Sequence, residues 1–181
     1  FLAKFALGLI FAVSFPFGAQ SVTVKQPKAV VELFTSQGCH SCPPADLVLA
    51  EFAKSGEILG LGWHVDYWDY LGWKDSFASS DNTERQRAYA RSMRERQIYT
   101  PQAIINGRVH AVGSNERQIR GLVSEFDGGE RGLQVPIKVS KTGNSLNIRV
   151  PEGSVAENTT LYMVYFDHEQ SVVIERGENA G

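Results

Sequence analysis

The chain has 181 residues, 43% of them hydrophobic, and 18 Lys and Arg against 20 Asp and Glu leave a net charge of −2. That length holds one full domain and part of a second, with enough apolar content to build a core. The near-neutral balance gives no reason to invoke nucleic acid or an anionic membrane surface as a partner.

The sequence begins at Phe1 without a methionine and ends at Gly181 directly after a strand-like run, as expected of a fragment trimmed at both ends. Residues 1–20 carry one basic residue, Lys4, then an apolar run, then the small residues Gly18 and Ala19. This is the pattern of a secretory signal peptide. A membrane span needs about 20 apolar residues, and this run is shorter and is broken by Pro16. The mature protein is therefore expected in the periplasm or secreted, with no stable membrane span. No cysteine lies near the expected cleavage site, which argues against a lipid anchor.

Residues 30–35, Val-Val-Glu-Leu-Phe-Thr, are rich in β-branched and aromatic side chains and predict a buried strand. They lead into Gly38-Cys39-His40-Ser41-Cys42-Pro43-Pro44, which holds both cysteines of the chain. Residues 45–53 follow with Leu49, Phe52 and Ala53 at helical spacing. Two thiols separated by two residues either close a small disulfide ring or share a metal ion, and a CxxC between a strand and a helix favours redox use. In an oxidising compartment such a pair persists as a disulfide.

Residues 58–66 predict a second strand, nearly all apolar and so expected to be covered on both faces, as in a parallel sheet. The aromatic and acidic stretch 67–75 has no clean period and is read as an ordered loop. Residues 79–82 offer several N-caps for a helix running from Thr83 to about Arg96. Its arginines (85, 87, 91, 94 and 96) predict either a solvated face or a group of cations turned toward the thiols. Beyond Pro101, the pair Asn106-Gly107 between two apolar runs predicts a hairpin, because both residues tolerate positive φ. Residues 114–116 then cap a helix with Ile119, Leu122, Val123 and Phe126 on one face. The resulting domain, 27–127, is an α/β unit with a mixed sheet covered by helices. After the Gly-rich linker at 127–132, the region 132–181 reads as an incomplete β-rich part with four strands, at 133–139, 146–150, 161–166 and 172–174.

The order of strand, CxxC helix, strand, helix, proline and hairpin resembles the thioredoxin-like superfamily. A more specific likeness is to the DUF1223 family of exported bacterial proteins of unknown function. The residues that carry it are Val31-Glu32-Leu33-Phe34-Thr35-Ser36-Gln37-Gly38-Cys39, Cys42-Pro43-Pro44-Ala45-Asp46, the run from His64-Val65-Asp66-Tyr67-Trp68-Asp69 to Trp73-Lys74-Asp75, Arg85-Gln86-Arg87-Ala88-Tyr89 and Tyr99-Thr100-Pro101-Gln102. They cover most of residues 30–113 and are far more specific than a bare CxxC. Two positions depart. His40 stands where family members often carry serine, and Gly38 stands where thioredoxin itself has tryptophan.

The resemblance implies that Pro101 is cis and lies beside the CxxC, with Thr100 next to it facing a substrate strand. It also implies that Glu32 is a buried carboxylate able to relay the proton of Cys42, although an edge-exposed glutamate fits the sequence equally. At the start of a helix, free N–H groups and the helix dipole favour a thiolate. Cys39 is thus the expected nucleophile and Cys42 the resolving thiol. His40 either adds a positive charge beside Cys39 or is a solvent-facing loop residue. Asp66 and Trp68, near the C-terminal end of the second strand, are candidate binding residues, since ligand sites collect at that end of open α/β sheets. The leading expectation is an exported thiol–disulfide oxidoreductase acting on protein thiols or disulfides, without a cofactor. Its competitors are a copper or zinc carrier using Cys39, Cys42 and either His40 or His64, and a non-catalytic binding module.

Overall fold

In the computed structural model the described residues are 26–153, 155, 156 and 159–181; the expected leader lies outside them. Strand β1 (Ala29–Thr35) is almost wholly buried, so it forms the middle of the domain. The sheet order is β2-β1-β3-β4, with β2 (Ile58–His64) parallel to β1, β3 (Gln102–Ile105) antiparallel to β1, and β4 (Val109–Val112) antiparallel to β3. This is the mixed sheet expected. Parallel pairing of β2 with β1 requires a crossover, and helix α1 (Pro43–Ser55) supplies it. Contrary to the expectation of full cover, β2 is the edge strand, and its residues Leu59, Gly60, Trp63 and His64 are only partly buried.

Alternation along β1 divides the core in two. Val31 and Leu33 pack with Ala45 and Phe52 of α1 and with Ile119 and Val123 of α3 (Glu116–Glu125). Phe34 points the other way and packs with Val65, Ile104, Trp63, Tyr67 and Trp68, and with Tyr89 and Met93 of α2 (Ser80–Met93). Two helices therefore cover one face and one helix the other, which is the α/β arrangement read from the sequence. Helix α2 begins at the N-cap Ser79, whose hydroxyl accepts from the Asn82 amide at 3.2 Å. It ends three residues sooner than its periodicity predicts, because Arg94 turns left-handed with φ 60°. The hairpin between β3 and β4 turns at Asn106 (φ 50°) and Gly107 (φ 67°), the positive pair expected there.

In the C-terminal region, β5 (Lys138–Thr142) and β6 (Ser145–Arg149) form an antiparallel pair, but the first strand lies further along the chain than the expected 133–139, because Lys141 and Thr142, expected in the turn, pair with Leu146 and Ser145. The strands expected at 161–166 and 172–174 are not formed. A strand is held by ladder bonds to a neighbour, and among the described residues none pairs with these segments. Their apolar side chains, such as Leu161, Tyr162, Met163 and Val173, are exposed. No helix among the described residues is long and apolar enough to cross a membrane.

Candidate functional site

Cys39 and Cys42 are joined as a disulfide at the C-terminal end of β1, with Cα atoms 5.4 Å apart. Cys42 is the N-cap of α1 and is fully buried, and Cys39 is only 3% exposed. A tight turn ties the pair together, since the Cys39 amide donates to the Ser36 carbonyl and the Cys42 amide to the Cys39 carbonyl, both at 3.1 Å. The Thr100–Pro101 peptide is cis and faces this turn. The Thr100 hydroxyl donates to Cys39 Sγ at 3.2 Å and itself accepts from the Trp68 indole N–H at 2.7 Å.

Free helix N–H groups are expected at Cys39 from the sequence, and the structure corrects this. The first two helical residues are Pro43 and Pro44, which have no N–H. The next amides, Ala45 and Asp46, donate to the Cys42 carbonyl at 2.8 and 3.1 Å. The hydrogen-bond donors that reach Cys39 Sγ are hydroxyls, Thr100 Oγ1 and, at 3.6 Å, Ser41 Oγ.

The aromatic-acidic stretch after β2 clamps the chain that delivers Cys39. Asp75 Oδ2 accepts from the Gln37 amide at 2.8 Å and from His64 Nδ1 at 2.7 Å, and Asp75 Oδ1 accepts from the Phe77 amide at 2.9 Å. Burial pushes the Asp75 carboxyl up, but the His64 and backbone hydrogen bonds outweigh it and hold the pKa below the ordinary carboxylate value. Trp73 adds its indole N–H to Gln37 Oε1 at 2.8 Å. Gly38 is explained by the same stretch: a Cβ there would lie 3.2 Å from Trp68 Cβ and 3.3 Å from its carbonyl oxygen. Gln86, fully buried, fixes the approach to Pro101 by donating to the Tyr99 carbonyl at 2.7 Å and to Gln102 Oε1 at 2.9 Å.

The two carboxylates of this region, Glu32 and Asp46, lie on opposite faces of β1. Glu32, on the Phe34 face of β1, is not a free buried acid. Arg85 of α2 holds it at 2.6 and 2.9 Å through two nitrogens, and the Tyr89 hydroxyl donates to it as well. Arg85 is thereby committed to Glu32 rather than turned to the thiols. Asp46 stands on the helix that carries Cys42, four residues on, and accepts from the Thr35 hydroxyl at 2.7 Å. Asp46 as a whole is exposed to solvent, while its carboxylate lies against Thr35. Desolvation of that carboxylate raises its pKa, with the Thr35 bond opposing it. In the sequence Asp46 is marked only as part of a motif; its four-residue spacing from Cys42 on a predicted helix is the available signal.

Among the other expected site residues, Trp68 and Thr100 meet at Cys39. His40 is exposed, the solvent-facing alternative. Asp66 ties β2 to the start of α2, accepting from the Thr83 hydroxyl at 2.6 Å. Among the described residues, no three His, Cys, Asp or Glu side chains converge as a metal site would require.

One contact came from far along the chain and had no signal in the sequence. The Asn179 side-chain amide donates to the backbone carbonyls of Gln37 at 2.8 Å and Cys39 at 2.9 Å. Two hydrogen bonds at about 1 kcal/mol each make this a modest strap over the disulfide. Asn179→Ala is expected to speed reduction of the disulfide by a small dithiol by up to about 30-fold, read as thiol release over time; an unchanged rate would show that the contact does not hold the cysteine turn closed.

Comparison with known proteins agrees with this picture at the level of family. An X-ray crystal structure of a protein from Agrobacterium tumefaciens is similar at 48% identity and a TM-score of 0.65, over 70% of this chain and 57% of that one. The match thus spans less than two thirds of that protein's length. A search of curated proteins finds no match. The sequence model of the family described as "Protein of unknown function (DUF1223)" matches residues 30–181, which include the CxxC, the clamp, the Thr100–Pro101 turn and Asn179, and the chain belongs to that family.

Proposed function

We propose that this chain is an exported thiol–disulfide exchange protein in which Cys39 is the sulfur that meets a protein client and Cys42 is the resolving sulfur. The observation that carries the reading is the placement of the Cys39–Cys42 disulfide at the start of α1 with a hydroxyl donor aimed at Cys39 Sγ. The parallel β1–α1–β2 unit, the cis proline turn opposite the cysteines and the following hairpin resemble the thioredoxin-like arrangement. Export follows from the leader pattern in residues 1–20 and suits a disulfide that persists.

A client thiolate attacks Cys39 Sγ, a new S–S bond forms to the client, and the Cys39–Cys42 bond breaks with its electron pair on Cys42 Sγ. Cys42 then takes a proton, and Asp46, four residues further along the chain on α1, is the acid assigned to exchange it. A second client thiolate attacks the client sulfur of the mixed disulfide and expels Cys39 as thiolate. The client loses two electrons to the cysteine pair. The reverse sequence reduces a client disulfide through the same groups, and the relative potentials set the direction.

A zinc carrier needs ligands beyond the two cysteines, whereas copper(I) can be held by the two thiolates alone. The His64 Nδ1–Asp75 bond leaves Nε2 as the ring atom able to ligate, and His40 is exposed. Mixing the oxidised protein with a reduced model protein dithiol tests the exchange reading. One client disulfide should appear for each pair of thiols gained on this chain. If the client stays reduced, while reduced protein takes up one equivalent of copper(I) or zinc, the carrier replaces the oxidoreductase.

A further inference from the structure

Cys39 is served by hydroxyls rather than by a helix terminus, and one of those hydroxyls is aimed by a third residue. An indole N–H donates only, so Trp68 must give its proton to Thr100 Oγ1, 2.7 Å away. A threonine hydroxyl has a single proton; with one lone pair engaged by Trp68, that proton goes to Cys39 Sγ at 3.2 Å, and the Tyr67 oxygen, whose own proton goes to Gln86, is the other acceptor within reach of Thr100. In the disulfide the sulfur has no hydrogen to offer, so the direction is fixed at both ends. The bond is weak to a disulfide sulfur and becomes charge-assisted when the sulfur is a thiolate.

From this geometry we infer that Trp68 is a positioning residue: it turns the Thr100 hydroxyl toward Cys39 and thereby sets the ionisation of the Cys39 thiol in the reduced protein. The inference rests on the exchange reading only for its use, since a thiolate is the attacking species in exchange. Other titratable groups around the pair include Asp46 on α1, His40 in the turn, Tyr67 beside Trp68, and the His64–Asp75 pair. Burial raises the Tyr67 pKa, so Tyr67 is neutral at working pH. The close packing of Gly38 on Trp68 holds the indole in register with the cysteine turn.

Reduced protein is titrated by ultraviolet thiolate absorbance, with Cys42→Ser in every sample so that one thiol is read. Loss of a hydrogen bond to a charged group should move the Cys39 midpoint upward by about one pH unit, a tenfold change in the ionisation constant. That shift is expected for Thr100→Val and for Trp68→Phe, while Thr100→Ser stays near the parent value. If Trp68→Phe does not fold, benzothienylalanine at position 68 removes the N–H and keeps the ring. A midpoint unmoved by loss of the indole N–H overturns the inference, whether or not Thr100→Val shifts it. No client is involved, so a shifted midpoint in a protein that fails to exchange would sink the exchange reading and leave the relay standing.

Discussion

Cys39→Ser is expected to abolish exchange with a protein client, and Cys42→Ser to stop it halfway with the client covalently attached. The asymmetry comes from position. Cys42 is enclosed as the N-cap of α1 beneath Pro43 and Pro44, whereas Cys39 lies in the turn before it, against Thr100 and Asn179. Of the two sulfurs, Cys39 belongs to the residue that keeps any exposure and is the one the Thr100 hydroxyl contacts, so it is the sulfur expected to meet an incoming thiolate. Without Cys39 there is no sulfur for the client to join. Without Cys42 the reduced Cys39 can attack a client disulfide, yet nothing on this chain resolves the mixed disulfide. Non-reducing gels distinguish the two: a client adduct should accumulate with Cys42→Ser and be absent with Cys39→Ser. The opposite pattern would reassign the nucleophile to Cys42.

The second large effect concerns stability. Arg85→Ala should cost about 3 kcal/mol, the low end of the range for stripping one partner from a buried ion pair. The Glu32 side chain is 6% exposed and Arg85 31%, so Arg85 can be replaced in part by water and Glu32 cannot. Arg85 also lies over the rings of Trp63 at 4.9 Å and Tyr89 at 5.2 Å, contacts that would be lost with it. The hydrogen bond to Glu32 keeps the guanidinium charged, and burial together with the neighbouring carboxylate raises the Tyr89 phenol, so Tyr89 remains a donor to Glu32. Helix α2 has a thin apolar face, and this cluster is its main anchor to β1. Urea unfolding checks the prediction, as a fall in midpoint with the slope unchanged. A loss below about 1 kcal/mol would place the pair with ordinary surface salt bridges.

Much of the domain was readable because local rules sufficed. Val30 to Thr35 has a strand composition, Ser79 and Asn115 are N-caps followed by helical spacing, and Asn106-Gly107 is a positive-φ pair; each of these signals lies within a few residues. The site was readable only where its parts are adjacent in sequence or matched a family motif. The partners of Glu32 and Asp46 were not legible because both faces of β1 are apolar, so alternation alone does not tell which face receives α1. Once α1 is seen over Val31 and Leu33, Thr35 falls beside Asp46 and Glu32 is sent to α2. The loss of helix donors at Cys39 was latent in Pro43-Pro44 and needed only the register of the helix start. Asn179 meets the cysteine turn across some 140 residues, a separation that no periodicity encodes. The strands expected at 161–166 and 172–174 had suitable composition, but composition cannot supply a pairing partner.

The reduction potential of the Cys39–Cys42 pair, measured by equilibration with a graded thiol–disulfide buffer, tests the central claim most directly. A working exchange site should titrate as one two-electron couple with a potential above about −300 mV, within reach of cellular thiol pools. A potential well below that value, with the bond resisting the buffer in folded protein, is the behaviour of a structural disulfide and would contradict the account.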